Sequence, residues 1–399
     1  MRRVLKLATA GAAATLLLAA CGEAPDDNDS GSTAAETEDS GATDDSASTD
    51  DSASTDDSAS TDEGTTGAAV DPADFKACMV SDAGGFDDQS FNQSGKEGMD
   101  AAKDALGIET VEVESQADTD YANNVNNLVS QGCNLTIGVG FLLEDAIQEA
   151  AEANPDTNFA LVDSAFSDAD FAPIELENAR PILFNTAEAS FLAGYLAAGM
   201  SESGTVATFG GLPIPSVQIF MDGFSDGIDK YNEDNGTEVQ LLGWDKEAQQ
   251  GSFSGGFDDQ AQGQTLTEQF IAQGADIVMP VAGPVGLGAA AAAESAGDVK
   301  IIWVDSDGFL TAPDYSALML TSVMKGIGAA VEGAITDTVE GGFSNEPYVG
   351  TLENEGVGLA PFHDMEADVP QELKDKLEEY RQQIISGELV VESPNSPQQ

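Results

Sequence analysis

The chain has 399 residues and a formal net charge of −58, because it holds 72 Asp and Glu but only 14 Lys and Arg. A surface this acidic repels phosphates, which argues against nucleic acid and anionic lipid headgroups as partners. The single histidine, His363, leaves no Ser-His, Cys-His or histidine-based metal constellation. We therefore expect no nucleic-acid partner, no metal and no cofactor.

The first 21 residues have the pattern of a bacterial lipoprotein signal peptide. Basic Arg2, Arg3 and Lys6 precede a short apolar run that ends in Leu-Ala-Ala-Cys at Cys21. The run is too short to persist as a membrane-spanning helix. We expect cleavage to leave Cys21 as a lipid-carrying amino terminus that anchors the protein on the extracytoplasmic face of the cell membrane. The alternative is an ordinary secreted protein with a chance cysteine.

Residues 22–74 are expected to form a disordered acidic tether. They are mainly Asp, Ser, Thr, Ala and Gly, and they include the near-repeat DDSASTDDSASTD. Such a segment cannot bury enough apolar surface to offset the entropy lost on ordering. Repulsion between its carboxylates would keep it extended, as a spacer between the lipid and the folded part.

From about residue 75, short β-branched runs alternate with helical patterns, which predicts an α/β fold of two doubly wound parallel-sheet lobes joined by crossing strands. We expect 75–186 to form the first lobe, with 318–342 returning to it. The second lobe would be 187–304, with 346–399 returning to it. The predicted strands are 76–80, 110–114, 135–140, 159–163, 181–185, 205–210, 239–244, 275–281, 300–305 and 318–323.

Two further cysteines, Cys78 and Cys133, lie in or beside the first and third predicted strands. The first and third strands of a doubly wound lobe are neighbours, so these thiols can come within bridging distance. An extracytoplasmic setting permits the bond. We expect a disulfide; two buried free thiols are the alternative.

Polar residues follow several of the predicted strands. Asp82, Asp163, Gly283, Asp305 and Lys325 each lie at or just beyond the carboxyl end of one. Because ligands of such folds bind at the carboxyl ends of the strands, we expect these residues to meet in one cleft between the lobes. Each aspartate taken alone could equally be a helix cap or a turn residue.

The sequence resembles the basic membrane lipoprotein family. The shared motifs are, in chain order, DAGGFDDQSFNQSGKEGM, FLLEDA, FALVD, ASFLAGYLAA, GGFDDQAQGQ, GADIVMPVAGPVGLG, VDSDG and LTSVMKG. They extend over essentially the whole folded part. The resemblance implies a type I periplasmic-binding-protein fold and a substrate-binding lipoprotein that serves the permease and ATPase of an ABC importer. Characterised members of the family bind purine nucleosides.

The resemblance also implies roles for individual residues. Phe91 and a second phenylalanine from the other lobe would sandwich the purine; the second ring matches Phe257, with Phe253 as the alternative. Asp82 matches the acceptor for the base edge, which favours guanine-like or hypoxanthine-like edges over adenine.

Other matches concern the sugar. Asp305 and Lys325 match the residues that hold the ribose hydroxyls, with Asp163 and the backbone of Gly283 nearby. Asn92 is a further expected contact. With Lys325 as the one cation among these residues, a nucleoside fits better than a nucleotide.

Two other functions are compatible with parts of the sequence. The same fold could bind a sugar or another small metabolite, as a sensor or a surface lipoprotein. A hydrolase could use Asp87 and Asp88 as paired carboxylates. Adjacent loop residues usually point apart and cap the following helix, so we expect a binding protein and not an enzyme.

Overall fold

The computed structural model describes residues 69–168 and 172–397. The predictions for the signal peptide, for Cys21 and for residues 22–68 lie outside these ranges. The last residues of the expected tether are described and are ordered. Val70 N–H donates to the Val339 carbonyl oxygen, and Pro72–Asp74 form a turn of 3₁₀ helix. The ordered part therefore begins before residue 75.

Strands and helices alternate, as the sequence predicts. The strands are β1 Lys76–Ser81, β2 Glu109–Glu114, β3 Leu135–Val139, β4 Asn158–Val162, β5 Ala179–Phe184, β6 Thr205–Gly210, β7 Gln240–Leu242, β8 Trp244–Asp245, β9 Gln250–Gly251, β10 Ile277–Val281, β11 Lys300–Asp305, β12 Met319–Lys325, β13 Tyr348–Gly350 and β14 Val357–Leu359. The helices are α1 Phe91–Leu106, α2 Tyr121–Ser130, α3 Glu144–Ala153, α4 Thr186–Met200, α5 Pro215–Asn235, α6 Gln260–Ala272, α7 Val285–Ala296, α8 Gly308–Thr311, α9 Ile327–Val339 and α10 Gln371–Ile385.

Two six-stranded sheets form the cores of the two lobes. The first has the order β13-β5-β4-β3-β1-β2, and all of its pairs are parallel. The second has the order β14-β12-β11-β10-β6-β7, and only the edge pair β12–β14 is antiparallel. Central strands such as β3 and β10 are buried along their whole length, which is typical of parallel sheets with helices on both faces.

Between residues 69 and 397 the described chain crosses between the lobes three times, and the crossings correct the predicted returns. Strand β12 lies in the second sheet and not in the first, whereas the following α9 packs on α1 of the first lobe. Strand β13 belongs to the first sheet, and only β14 and α10 lie with the second lobe. The hydrophobic pattern of a segment predicts a strand but not the sheet that the strand joins, so the sequence could not assign β12 and β13 to the correct lobes.

Close packing at one glycine fixes α9 on the first lobe. A β-carbon placed at Gly98 of α1 would lie 2.2 Å from the carbonyl oxygen of Gly328 in α9. The two helix backbones are therefore in direct contact at this point, which a side chain at residue 98 would prevent.

Among the described helices, none combines the length and apolar character that crossing a bilayer requires.

Cys78 and Cys133 are joined by a disulfide, with their Cα atoms 5.9 Å apart. The bond links β1 to the residues just before β3, and these two strands are paired. The predicted bridge is therefore present in the structure.

Candidate functional site

One cleft between the two sheets gathers every residue that the sequence assigned to the site. Its volume is about 520 Å³, open solvent at its mouth included. Asp82 and Asp163 reach it from the ends of β1 and β4, and Gly283 and Asp305 from the ends of β10 and β11. The predicted residues that line it are Asp82, Phe91, Asn92, Asp163, Phe257, Gly283, Asp305 and Lys325.

Lys325, at the end of β12, is the centre of a buried ion network. Its ammonium group donates a hydrogen bond to Asp163 Oδ2 and lies 3.6 Å from Asp305 Oδ1. The Lys325 side chain is only 2% exposed. Burial raises the pKa of both Asp163 and Asp305, and the charge of Lys325 opposes that shift. The network links the first lobe to the second.

Three aromatic rings surround the same ammonium group. Lys325 Nζ lies 5.1 Å from the ring centroid of Phe91, 4.8 Å from that of Phe220 and 5.9 Å from that of Phe184. Contacts of this kind stabilise a desolvated cation. The ring of Phe91 is therefore held beside the charged end of the cleft.

Asp82 lies in a niche built by Asn92 and Gly140. Asn92 Nδ2 donates to Asp82 Oδ1 at 3.4 Å and to the Ala83 carbonyl oxygen at 2.9 Å. A β-carbon at Gly140 would lie 1.8 Å from Asp82 Oδ2, so a larger residue there would displace the carboxylate. Burial raises the pKa of Asp82 well above its usual range, although the hydrogen bond from Asn92 opposes the shift.

Asn92 also presents an unused acceptor. Its side chain is buried, and Asn92 Oδ1 has no hydrogen-bond partner in the part of the chain that the structure describes. A buried acceptor without a donor costs about 1–3 kcal/mol. A ligand N–H group in the cleft would remove that cost.

Asp88 also lines the cleft, although the sequence suggested only a helix cap or one carboxylate of a hydrolase pair. Its carboxylate accepts hydrogen bonds from the backbone N–H groups of Ser90, Asn92 and Gln93, so it caps α1, the helix that carries Phe91 and Asn92. Burial raises the pKa of Asp88 to about 6. In the sequence, an aspartate just before a helical pattern indicates the start of a helix, and capping that helix is the role expected for it.

The aromatic residues of the cleft come from both lobes. Phe91 begins α1, and Phe257 precedes α6. Phe253, the alternative to Phe257, does not line the cleft; its ring packs edge-on against Trp244, with centroids 6.2 Å apart. Phe141 and Phe220 also line the cleft and were missed. The only sequence signal for Phe141 as a site residue is its position just after β3. The spacing of Phe220 in α5 is that of an ordinary core residue, so its sequence position does not indicate a site.

The charges of the cleft favour a ligand without phosphate. Among the described residues that line it, Asp82, Asp88, Asp163 and Asp305 are acidic and Lys325 is the one cation. Within the described ranges, no group of His, Cys, Asp and Glu is placed to hold a metal ion. The arrangement can stack a flat ring, accept hydrogen bonds from N–H groups and bind hydroxyls.

Comparison with known proteins identifies the family of this chain. A family model described as "ABC transporter substrate-binding protein PnrA-like" matches residues 75–394. The ABC transporter nucleoside-binding protein BmpA of Lactococcus lactis subsp. cremoris is 30% identical over 348 residues, which cover 83% of this chain and 92% of that protein. A CD4+ T-cell-stimulating antigen of Listeria innocua is 30% identical over 343 residues, or 81% of this chain and 89% of the antigen.

Solved structures show the same architecture. A solute-binding protein of an ABC transporter system from Aeropyrum pernix K1 has a TM-score of 0.71 at 25% identity, covering 80% of this chain and 94% of that one. A solute-binding protein from Bacillus halodurans C-125, solved with myo-inositol, has a TM-score of 0.51 at 16% identity, with 78% and 99% covered, and shows the fold alone. The fold is that of the type I periplasmic binding proteins. Because the family model matches most of its length, the chain belongs to the PnrA-like family of ABC transporter substrate-binding proteins.

Proposed function

We propose that this protein is a lipid-anchored extracytoplasmic receptor that binds purine nucleosides, guanosine and inosine above all, for an ABC importer. The observation that carries the proposal is the convergence in one cleft of aromatic rings from both lobes, a buried carboxylate beside an unused amide oxygen, and a cation between two aspartates. Each of these groups matches one part of a nucleoside.

The base would stack between Phe91 and Phe257. The two residues come from opposite lobes, so a flat ring between them would draw the lobes together. Stacking of a base on an aromatic side chain contributes about 1–3 kcal/mol and tolerates any purine. The aromatic pair therefore explains affinity and leaves selectivity to other groups.

Selectivity would come from Asp82 and Asn92. Guanine presents an N1–H and an exocyclic N2 amine on its Watson–Crick edge, and hypoxanthine presents the N1–H. The Asp82 carboxylate and the unpaired Asn92 Oδ1 both accept hydrogen bonds. Adenine has an acceptor at N1, so the lone pair of N1 would face a lone pair of the Asp82 carboxylate and the two would repel each other. Guanosine and inosine are thus the expected ligands.

The ribose would lie at the Lys325 end of the cleft. A hydroxyl can donate to Asp305 or Asp163 and accept from Lys325 at the same time, and backbone at Gly283 lies in the same wall. A phosphate would have to approach these buried carboxylates, which repel it. Nucleosides should therefore bind much more tightly than nucleotides.

Delivery to a permease follows from the two-lobed design. Closure of the lobes on a ligand would create the surface that a permease recognises, and a cytoplasmic ATPase would drive import. The lipid on Cys21 would hold the receptor at the membrane, with residues 22–68 as a spacer. The name of the relative from Lactococcus lactis, a nucleoside-binding protein, supports the ligand class.

Thermal unfolding of the delipidated protein tests the proposal. We expect guanosine and inosine to raise Tm most, adenosine less, and ribose and GMP little. Mass spectrometry of ligand retained by gently purified protein gives an independent reading. Stabilisation by a sugar, with none by any nucleoside, would contradict the proposal and favour a sugar receptor.

A further inference from the structure

A second cavity adjoins the nucleoside cleft at its Lys325 end. The two cavities share four lining residues: Phe141 and Asp163 from the first lobe, and Ser216 and Lys325 from the second. We call the second cavity the side chamber; its volume is about 1980 Å³, open solvent included. The shared residues mark the boundary between the cleft and the side chamber.

The wall of the side chamber is mainly apolar. Beyond the shared boundary it includes Leu183 and Phe184 of β5, Ile219 of α5 and a series of prolines. The Phe184 ring lies near Lys325, with 5.9 Å between its centroid and Nζ. An apolar group that entered from the cleft would therefore be removed from water and would contact aliphatic and aromatic side chains, which favours binding.

The charges of the side chamber exclude anions. Among the described residues that line it, Lys325 is the one cation, and its ammonium group is already paired with Asp163. Glu144, Glu175 and Glu346 add further carboxylates to the wall. The side chamber suits an uncharged group and not a phosphate.

In the proposed binding mode, the sugar is the part of the ligand that faces this boundary. The 2′ and 3′ hydroxyls form a cis pair that matches the carboxylates and the ammonium group at the Lys325 end. C5′ is then the sugar position that can carry a substituent without loss of those hydrogen bonds. The side chamber lies beyond Asp163 and Lys325 at that end of the cleft.

We propose that the side chamber accepts an uncharged apolar substituent at C5′ of the bound purine nucleoside. The ligand class of this protein then includes 5′-deoxy-5′-alkylthio purine nucleosides as well as the parent nucleosides. This inference rests on the proposed function and extends it.

Calorimetric titration of the full delipidated chain with three ligands tests it: inosine, 5′-deoxy-5′-methylthioinosine and inosine 5′-monophosphate. We expect the methylthio compound to bind within about threefold of inosine, and the monophosphate to bind at least about tenfold more weakly. Wild-type protein that binds inosine but binds the methylthio compound more than about thirtyfold more weakly would overturn the inference and leave the proposed function intact. Failure of all purine nucleosides to bind would contradict the proposed function instead.

A pair of variants locates the substituent. Leu183→Trp adds bulk to a half-buried residue that lines the side chamber but not the cleft. Val390→Trp is the matched control, because Val390 is 69% exposed and lines neither cavity. We expect Leu183→Trp to weaken the methylthio compound about tenfold and to leave inosine within about twofold of wild type. Equal affinities of the two variants for the methylthio compound would overturn the inference, as would equal weakening of both ligands by Leu183→Trp.

Discussion

Asp163 and Asp305 occupy equivalent places in the two sheets and meet at one lysine. Asp163 follows β4 and Asp305 ends β11, and each strand is the third in the order of its sheet. Both residues have a left-handed backbone, with φ of 69° and 68°. For residues other than glycine this conformation costs about 1–2 kcal/mol. The two lobes therefore hold matching strained aspartates that bring their carboxylates to Lys325.

Lys325→Gln should weaken nucleosides through the sugar. Loss of the cation leaves the two buried aspartates to repel each other, and it removes a donor to the hydroxyls. We expect inosine and guanosine affinities to fall by similar factors, about tenfold or more, and 2′,3′-dideoxyinosine to be affected less. Calorimetric titration measures the three affinities. Lys76→Gln is the control, because Lys76 pairs with Glu109 at the surface of the first lobe. An equal loss for the dideoxy ligand would argue against contact with the ribose.

Phe257→Ala and Phe253→Ala should separate the two candidates for the second stacking ring. Loss of a stacking face at Phe91 or Phe257 should weaken every purine nucleoside by about 1–3 kcal/mol. Phe253→Ala should leave affinity within about twofold, because its ring packs against Trp244 and not in the cleft. Titration of folded variants decides between them. A larger loss from Phe253→Ala than from Phe257→Ala would reverse the assignment.

Much of the site could be predicted because it lies at the ends of parallel strands. Asp82, Asp163 and Asp305 follow apolar runs that are easily recognised, and the carboxyl ends of such strands share one edge. The position of each residue in the chain was therefore enough to place it in the cleft. The choice between Phe253 and Phe257 was different, because both belong to one loop and packing alone separates them.

Contacts between distant parts of the chain could not be predicted. Strand β12 joins the second sheet through pairing with β11, which its own sequence does not specify. Asp222 is a buried carboxylate that accepts hydrogen bonds from Trp244, Gln249, Ser393 and Asn395. It holds the C-terminal residues on the second lobe. Partners up to 173 residues away leave no local pattern in the sequence.

Removal of the disulfide should lower stability and leave binding unchanged. Cys78 and Cys133 pack with Tyr121, Val125 and Leu128 in a hydrophobic cluster of the first lobe, and neither cysteine lines the cleft. The double variant Cys78→Ala, Cys133→Ala should lower the free energy of unfolding by about 2–4 kcal/mol. Denaturant titration measures this loss, and calorimetry should return the wild-type affinity. A large loss of affinity in the folded variant would contradict this prediction and show that the disulfide supports the binding cleft.

Asp88→Asn should change how stability depends on pH. The pKa of Asp88 is raised to about 6 in the folded protein, against about 3.9 in an unfolded chain. At this carboxyl the folded state therefore binds more protons than the unfolded state between these values, so the contribution of Asp88 to the stability of wild type falls as pH rises from about 4 to 6. Asparagine can still cap α1 but does not titrate.

The stability of Asp88→Asn relative to wild type should thus rise through this window, by up to about 3 kcal/mol. Urea unfolding at several pH values measures the difference. Asp87→Asn is the matched control, because Asp87 is the exposed neighbour. If the difference in unfolding free energy between Asp88→Asn and wild type did not depend on pH, burial would not raise the pKa of Asp88.

Asp82→Asn should alter the choice of base. The substitution replaces a carboxylate by an amide of the same shape, which can still meet Asn92 but accepts through one oxygen only. Guanosine and inosine should each lose about 1–3 kcal/mol of binding free energy, because an N–H group of the base faces a donor in place of an acceptor. Adenosine should be unchanged or improved, since an amide can pair with an acceptor and a donor at once.

Competition titrations of the three nucleosides against wild type, Asp82→Asn and the control Asp87→Asn measure this selectivity. A second reading comes from pH, because burial raises the pKa of Asp82 well above its usual range. As pH falls through that raised pKa, the carboxyl gains a proton and loses acceptor capacity. The guanosine affinity of wild type should therefore fall with pH more steeply than that of Asp82→Asn. Equal losses of adenosine and guanosine in Asp82→Asn, with parallel pH profiles, would remove Asp82 from the base edge.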